Sequence, residues 1–293
     1  LDTNRYLEVR SNIVDANLSG DYSFKGIQQA FASQISKFVK STDPVSPPED
    51  EDFIFDITIK NTLLITELLI PELTVEPQSK LKGTYSHKEG SLDVVLNSPG
   101  FIYNKNQVRN VFLEYEGGVE KSSLEFDVGG ILFKNGVAID SLALDNFFYN
   151  DTLLYSLSGI LRDSIDSYLE FNGYALQLDS TSFEFGINES GFNIGFQEFK
   201  ILNDNRILVD TGGIHVEDLV IANEGRKIYI NGNISDNPNE VLRLNLRGFG
   251  MNITNYFIGS TAARFKGKLY GDVILTELLG EPKFAANVNI DSL

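Results

Sequence analysis

A period of two, returning in one short segment after another, constrains this chain more than any other feature. Phe53, Phe55, Ile57 and Ile59 share one parity, with Asp56, Thr58 and Lys60 on the other. Successive side chains of a strand point to opposite faces, so this spacing gives one aliphatic and aromatic face and one hydrated face. The pattern recurs at Leu92, Val94 and Leu96, at Leu124, Phe126 and Val128, and at Phe183, Phe185 and Ile187. It returns at Phe192, Ile194 and Phe196, at Ile228 and Ile230, and at Leu242, Leu244 and Leu246. Turn formers bound the runs: Glu116-Gly117-Gly118, Lys134-Asn135-Gly136, Asn188 to Gly191, Thr211-Gly212-Gly213 and Asn231-Gly232. Short strands between tight turns predict antiparallel neighbours and an all-β fold.

Helical spacing is scarce. Ile27, Ala30, Phe31, Ile35, Phe38 and Val39 form one stripe of a helix of about four turns. A second, short helix is predicted after Gly248 ends the Leu242 strand, with Asn252 as its cap, Ile253, Tyr256 and Phe257 on one side and Gly259 at its end. Phe265, Leu269 and Val273 then resume the two-residue period, followed by a turn at Gly280-Glu281-Pro282 and a last strand through Phe284, Ala286, Val288 and Ile290. Ser156 to Ser167 reads as strand. The expected organisation is residues 1–48 as strands, helix and a loop rich in prolines and acids, leading into a continuous sheet over 49–293 that forms one structural unit with them.

With 42% hydrophobic residues and at most two helices, the apolar faces of so many strands must cover themselves. Two solutions satisfy this. One is a closed β-sandwich; the other is an elongated, curved, mostly antiparallel sheet bent into a trough whose inner wall is apolar. Gly195, Gly267 and Gly271 would ease bending or bulging in the second.

The order Leu242-Arg-Leu-Asn-Leu246, short helix, Phe265-Lys-Gly-Lys-Leu-Tyr-Gly-Asp-Val273, then Leu278-Leu-Gly-Glu-Pro-Lys-Phe284 and a final strand resembles the recurring unit of the TamB and AsmA-like envelope proteins of Gram-negative bacteria. Val14 to Phe24, Leu202 to Leu208 and Ile228 to Ile234 are similar to other segments of that family. The resemblance implies an open, taco-like β-groove, a periplasmic location in a protein anchored in the inner membrane, and traffic of phospholipid between the two membranes. It also implies a related role in outer-membrane protein assembly with an Omp85-family partner, engaged through regions outside this sequence. The sequence begins without the basic and apolar parts of a signal peptide and stops directly after a strand, so an excised piece of a longer repetitive protein is expected.

Composition narrows the function classes. A formal charge of -17 and a pI near 4.5 oppose binding to nucleic acid, which needs clustered Lys and Arg. No cysteine is present, which removes thiolate metal sites and a Cys nucleophile. His87 and His215 stand apart, without triad or zinc-motif spacing. Asp145, Asn146, Asn150, Asp151 and the Asn203-Asp204-Asn205 cluster lack EF-hand spacing and read as turns. The glycine pairs Gly117-Gly118, Gly129-Gly130 and Gly212-Gly213 precede strands, not helices, and so read as turns and not as phosphate loops.

We therefore expect no enzyme, no metal and no cofactor. The candidate lining for lipid acyl chains is Phe53, Phe55, Ile57, Ile59, Leu124, Phe126, Val128, Phe183, Phe185, Leu242, Leu244, Leu246, Phe265, Leu269 and Val273. Two other readings stand beside it: a scaffold whose exposed strand edges pair with nascent outer-membrane strands, and a cell-surface sandwich that binds a glycan or protein.

Overall fold

The computed structural model describes residues 5–38, 45–62, 70–134, 136–161, 167–194, 197–202, 204–250 and 266–291. The chain is all-β and antiparallel, with one α-helix among the described residues. It divides into two compact units, Leu1–Asp166 and Ser167–Leu293. Contacts therefore separate near residue 166 and not near residue 48, and the N-terminal strands and helix belong with the strands that follow them.

In the N-terminal unit, strands β1 (Arg5–Arg10), β2 (Val14–Asp21), β3 (Asp52–Ile59), β5 (Ser79–Ser86), β6 (Ser91–Tyr103), β7 (Asn106–Gly117), β8 (Lys121–Leu132), β9 (Ala138–Tyr149) and β10 (Thr152–Leu161) pair in that order. The short β4 (Leu73–Val75) lies beside the C-terminal end of β6. Helix α1 (Phe24–Ile35) lies in the connection between β2 and β3, which pair with each other antiparallel.

Register converts the alternation into a continuous apolar face. Phe55 stands opposite Leu18 and Gly83, Gly83 opposite Val94, Val94 opposite Tyr115, and Tyr115 opposite Leu124. The adjacent row runs Ala16, Ile57, Leu81, Leu96, Leu113, Phe126, Leu144 and Leu157. Gly83 is required by close approach: a Cβ there would come within 2.5 Å of the Phe55 ring. Strands contact chiefly their ladder neighbours.

The helix begins earlier and ends sooner than its apolar stripe predicts. Ser23 is its N-cap: its Oγ accepts from the Gly26 amide at 2.9 Å and donates to Glu51 Oε1 at 2.7 Å. A carboxylate at this end also meets the positive pole of the helix. Ala30 is buried, while Ile35 in the last turn is 65% exposed.

The C-terminal unit is built the same way. Strands β11 (Ser167–Gln177), β12 (Phe183–Ile187), β13 (Ser190–Ile194), β14 (Gln197–Ile201), β15 (Arg206–Asp210), β16 (Gly213–Asn223), β17 (Arg226–Ile234), β18 (Val241–Gly250), β19 (Lys268–Thr276) and β20 (Lys283–Asp291) form one meander. β12 and β13 lie end to end along β11, and β14 and β15 lie end to end along β16, so each couple acts as one interrupted strand.

Several sequences predicted as turns are devices inside strands. Asn188-Glu189 is the interruption between β12 and β13 and not a hairpin, because β11 runs past it on one side. On the other side Asn205 fills the gap: its Oδ1 accepts from the Ile187 amide at 2.8 Å, and its Nδ2 donates to the carbonyls of Ile187 at 2.6 Å and Leu202 at 3.0 Å. A side-chain amide thus substitutes for a backbone unit of the ladder. Asn231-Gly232 lies within β17. There Asn231 Oδ1 accepts from the amide of Asp218, the residue bulged out of β16, at 2.7 Å.

Gly129-Gly130 lies within β8, and Gly248 does not end β18: with φ +70° it is the extra residue of a bulge, and the strand continues to Gly250. Gly271, in mid β19, has φ +136° and approaches the Asn287 carbonyl so closely that a Cβ would sit 2.1 Å from it. Thr211-Gly212 does form a hairpin turn, between β15 and β16. The predicted Asn252 to Gly259 helix, Phe265, Gly195 and Phe196 lie outside the described residues.

Candidate functional site

The apolar face of the N-terminal unit has two zones. Over β3, β5 and β6 it is roofed by α1. Phe53 and Leu92 are each 2% exposed and Phe55 is 7%. Phe31 of the helix meets Phe55 with ring centroids 5.9 Å apart, and Phe53 stacks on Tyr85 at 5.3 Å. Phe53 and Phe55, expected to line an open groove, are therefore a closed core: the helix stripe takes the place the groove reading reserves for a ligand. Ile57 packs against this core half-buried, and Ile59 is half-buried at the end of β3.

Beyond the roofed zone the face opens. Between the C-terminal half of α1 and strands β6 to β10 lies an apolar cavity of about 510 Å3, within the size range of small-molecule sites. Phe31, Ile35 and Phe38 form its helix side, and Val94, Leu113, Leu124, Phe148 and Leu153 its sheet side. Phe38, in the turn after α1, spans the space, with ring centroids 6.3 Å from Tyr115 and 5.1 Å from Phe148. Of the candidate residues, Leu124 lines the cavity; Phe126 follows on the same face, half-buried, and Val128 beyond it is buried against Val111.

Polar atoms converge at one edge. Gln34 Oε1 accepts from Lys37 Nζ at 2.5 Å and from Tyr115 Oη at 3.2 Å, while its Nε2 donates to the Gly90 carbonyl at 3.2 Å. Lys37 also donates to the Gly118 carbonyl at 2.5 Å. Burial pushes the Lys37 ammonium below its ordinary pKa, and burial raises that of Tyr115. The spacing of Phe31, Ile35 and Phe38 signals a buried helix face, but not that its C-terminal half stands off the sheet. Phe148 continues the parity of Leu142 and Leu144, and Leu153 that of Tyr155 and Leu157, an alternation that the candidate lining left out.

In the C-terminal unit Phe185 is opposite Ile207, Ile207 opposite Val216, Val216 opposite Gly232 and Gly232 opposite Leu242, with Phe183 one row away beside Val209. Leu244 pairs with Val273, Leu246 with Gly271, and Phe249 with Leu269. The register thus brings Phe183, Phe185, Leu242, Leu244, Leu246, Leu269 and Val273 onto one face. Leu242 is buried and the others are half-buried. On β11, β13 and β14, Phe171, Phe192 and Phe199 stack across neighbouring strands with centroids 6.0 and 5.3 Å apart.

The opposite face of the N-terminal sheet is acidic. Glu114, Glu125 and Asp145 stand directly opposite one another on β7, β8 and β9. Desolvation, then the charges of Asp127, Asp145 and Glu114, raise the Glu125 carboxyl above its ordinary pKa. Among the described residues, no group of three or more His, Cys, Asp or Glu is arranged to hold a metal ion. His87 Nδ1 bonds the Pro48 carbonyl at 2.9 Å; His215 lies between Asn233 and Glu217 at 2.5 and 3.2 Å. Neither faces the cavity. No described helix is long and apolar enough to cross a membrane. No known protein family, curated protein or solved structure matches this chain.

Proposed function

We propose that this chain is a non-enzymatic segment of a TamB or AsmA-like periplasmic protein that shields phospholipid acyl chains on apolar β-faces as lipid passes between membranes. The observation that carries this reading is the 510 Å3 apolar cavity opening on a face whose residues are aliphatic and aromatic across successive strands. Hydrocarbon gains about 0.8 kcal/mol per methylene on leaving water, and wide apolar rows offer equivalent positions between which a tail slides without a large barrier. The hydrated, acidic opposite face keeps such a segment soluble.

A photocrosslinking residue at Leu124, Phe126 or Leu244 tests the reading, with Glu125 and Arg243 as controls on the opposite faces. Incubated with phosphatidylethanolamine and phosphatidylglycerol vesicles, the first three positions are expected to yield lipid adducts and the controls none. Equal labelling of both faces, or none from the apolar positions, defeats it. Adducts to nascent barrel proteins in cells, without lipid adducts, would favour the strand-pairing scaffold instead.

A further inference from the structure

The cavity beneath α1 has a chemical polarity that the rest of the apolar face lacks. Its walls are hydrocarbon, yet one edge gathers Gln34, Tyr115, Ser122 and, through Gln34, the ammonium of Lys37. Ile35, which lines the cavity and is 65% exposed, marks its mouth, and Lys37 follows two residues later. An ammonium has three donors; here two are taken, by Gln34 Oε1 and the Gly118 carbonyl. Among the described residues no carboxylate pairs with Lys37, whereas Lys60, Lys82 and Lys283 each have one within 3 Å. Lys37 reaches the edge of the apolar space through Gln34 Oε1, and Asp93 and Glu116, on the neighbouring strands, belong to the opposite face of the sheet.

Resting on the acyl-chain reading above, we propose that this cavity binds a single-chain carboxylate, a fatty acid, with its tail among Phe31, Phe38, Leu113 and Leu124 and its head on Lys37. The third N–H of the ammonium and the Ser122 hydroxyl supply donors for a carboxylate of unit charge, the one proton of Tyr115 being already given to Gln34 Oε1. A long tail enters past Ile35, and its head stays at the wetted edge. Elsewhere the apolar rows hold acyl chains without regard to the head.

Calorimetric titration of the whole chain with laurate and with 1-monolauroylglycerol, a neutral amphiphile of equal tail, tests this. Laurate is expected to bind about tenfold more tightly, and Lys37→Met to remove that preference while leaving monolauroylglycerol binding intact, which also shows that the cavity has folded. Lengthening the acid from decanoate to laurate should tighten binding about fourfold per buried methylene. Leu124→Trp, which fills the space, should weaken both ligands. Equal affinities in the unaltered chain, or a preference that survives Lys37→Met, overturn the head assignment. Binding undiminished in Leu124→Trp places the ligand elsewhere and overturns the site. If neither amphiphile binds while Phe126 and Leu244 still crosslink to phospholipid, only this site falls; if those crosslinks fail too, the acyl-chain function falls with it.

Discussion

The roofed face of the N-terminal unit and the apolar face of the C-terminal unit are written in the same two-residue code and reach different ends. Phe53 and Phe185 are both phenylalanines at inward positions of short strands. Phe53 is 2% exposed because α1 lies over it, and Phe185 remains half-buried on a sheet whose unit has no helix among its described residues. Inward orientation is a property of the strand; burial depends on what the other elements bring over it. Where α1 is pressed down, the face is a core; where its last turn stands away, the same face becomes a cavity.

Removing one ring from each zone sharpens that contrast most. Phe53→Ala should cost about 3–5 kcal/mol in denaturant unfolding, a full transfer and cavity loss. Phe185→Ala should cost about 1 kcal/mol, since a half-exposed ring has less area to return to water. Equal losses would show that the two faces are equally closed.

The next effect concerns how each unit completes its hydrogen bonding. Asn205→Ala leaves the amide and carbonyl of Ile187 without the side chain that bridges the interrupted strand, and should cost about 1–3 kcal/mol. Ser23→Ala, which removes the helix cap, should cost about 1 kcal/mol and loosen the roof over Phe55. Faster amide exchange confined to β12 and β15 in the first variant, and to α1 in the second, would separate the two.

The smallest effects come from carboxylates on opposite sides of their ordinary pKa. Glu125 is raised, so in the folded state it holds its proton to higher pH than in the unfolded chain. The stability tied to it is full below its unfolded pKa and is lost as pH rises through its folded one. Glu125→Gln should therefore stabilise the chain at neutral pH and make no difference in acid. Glu184 is lowered by its hydrogen bond to Arg206, at 2.9 Å from Nε, so its contribution is present above its unfolded pKa and lost as pH falls. Glu184→Gln should destabilise at neutral pH, with the deficit vanishing on acidification. Melting temperatures across pH 3 to 7 check both signs.

The period-two runs of residues 53–59, 124–128 and 242–246 were sufficient to determine the strands, their inward parity and the antiparallel class, because side-chain direction in a strand depends only on local backbone geometry. The helix was legible as a stripe, though its start awaited Glu51, a partner 28 residues from Ser23. Asn-Gly and Gly-Gly pairs announced positive φ or close approach, but a local signal cannot tell a hairpin from a bulge, which depends on whether a neighbouring strand continues past it. Tertiary structure alone decided which inward residues are sealed, which face a cavity, and that Gln34, Lys37 and Tyr115 meet at its edge. Those outcomes turn on where one helix rests across strands up to about 120 residues distant in the chain, and no local period encodes that placement.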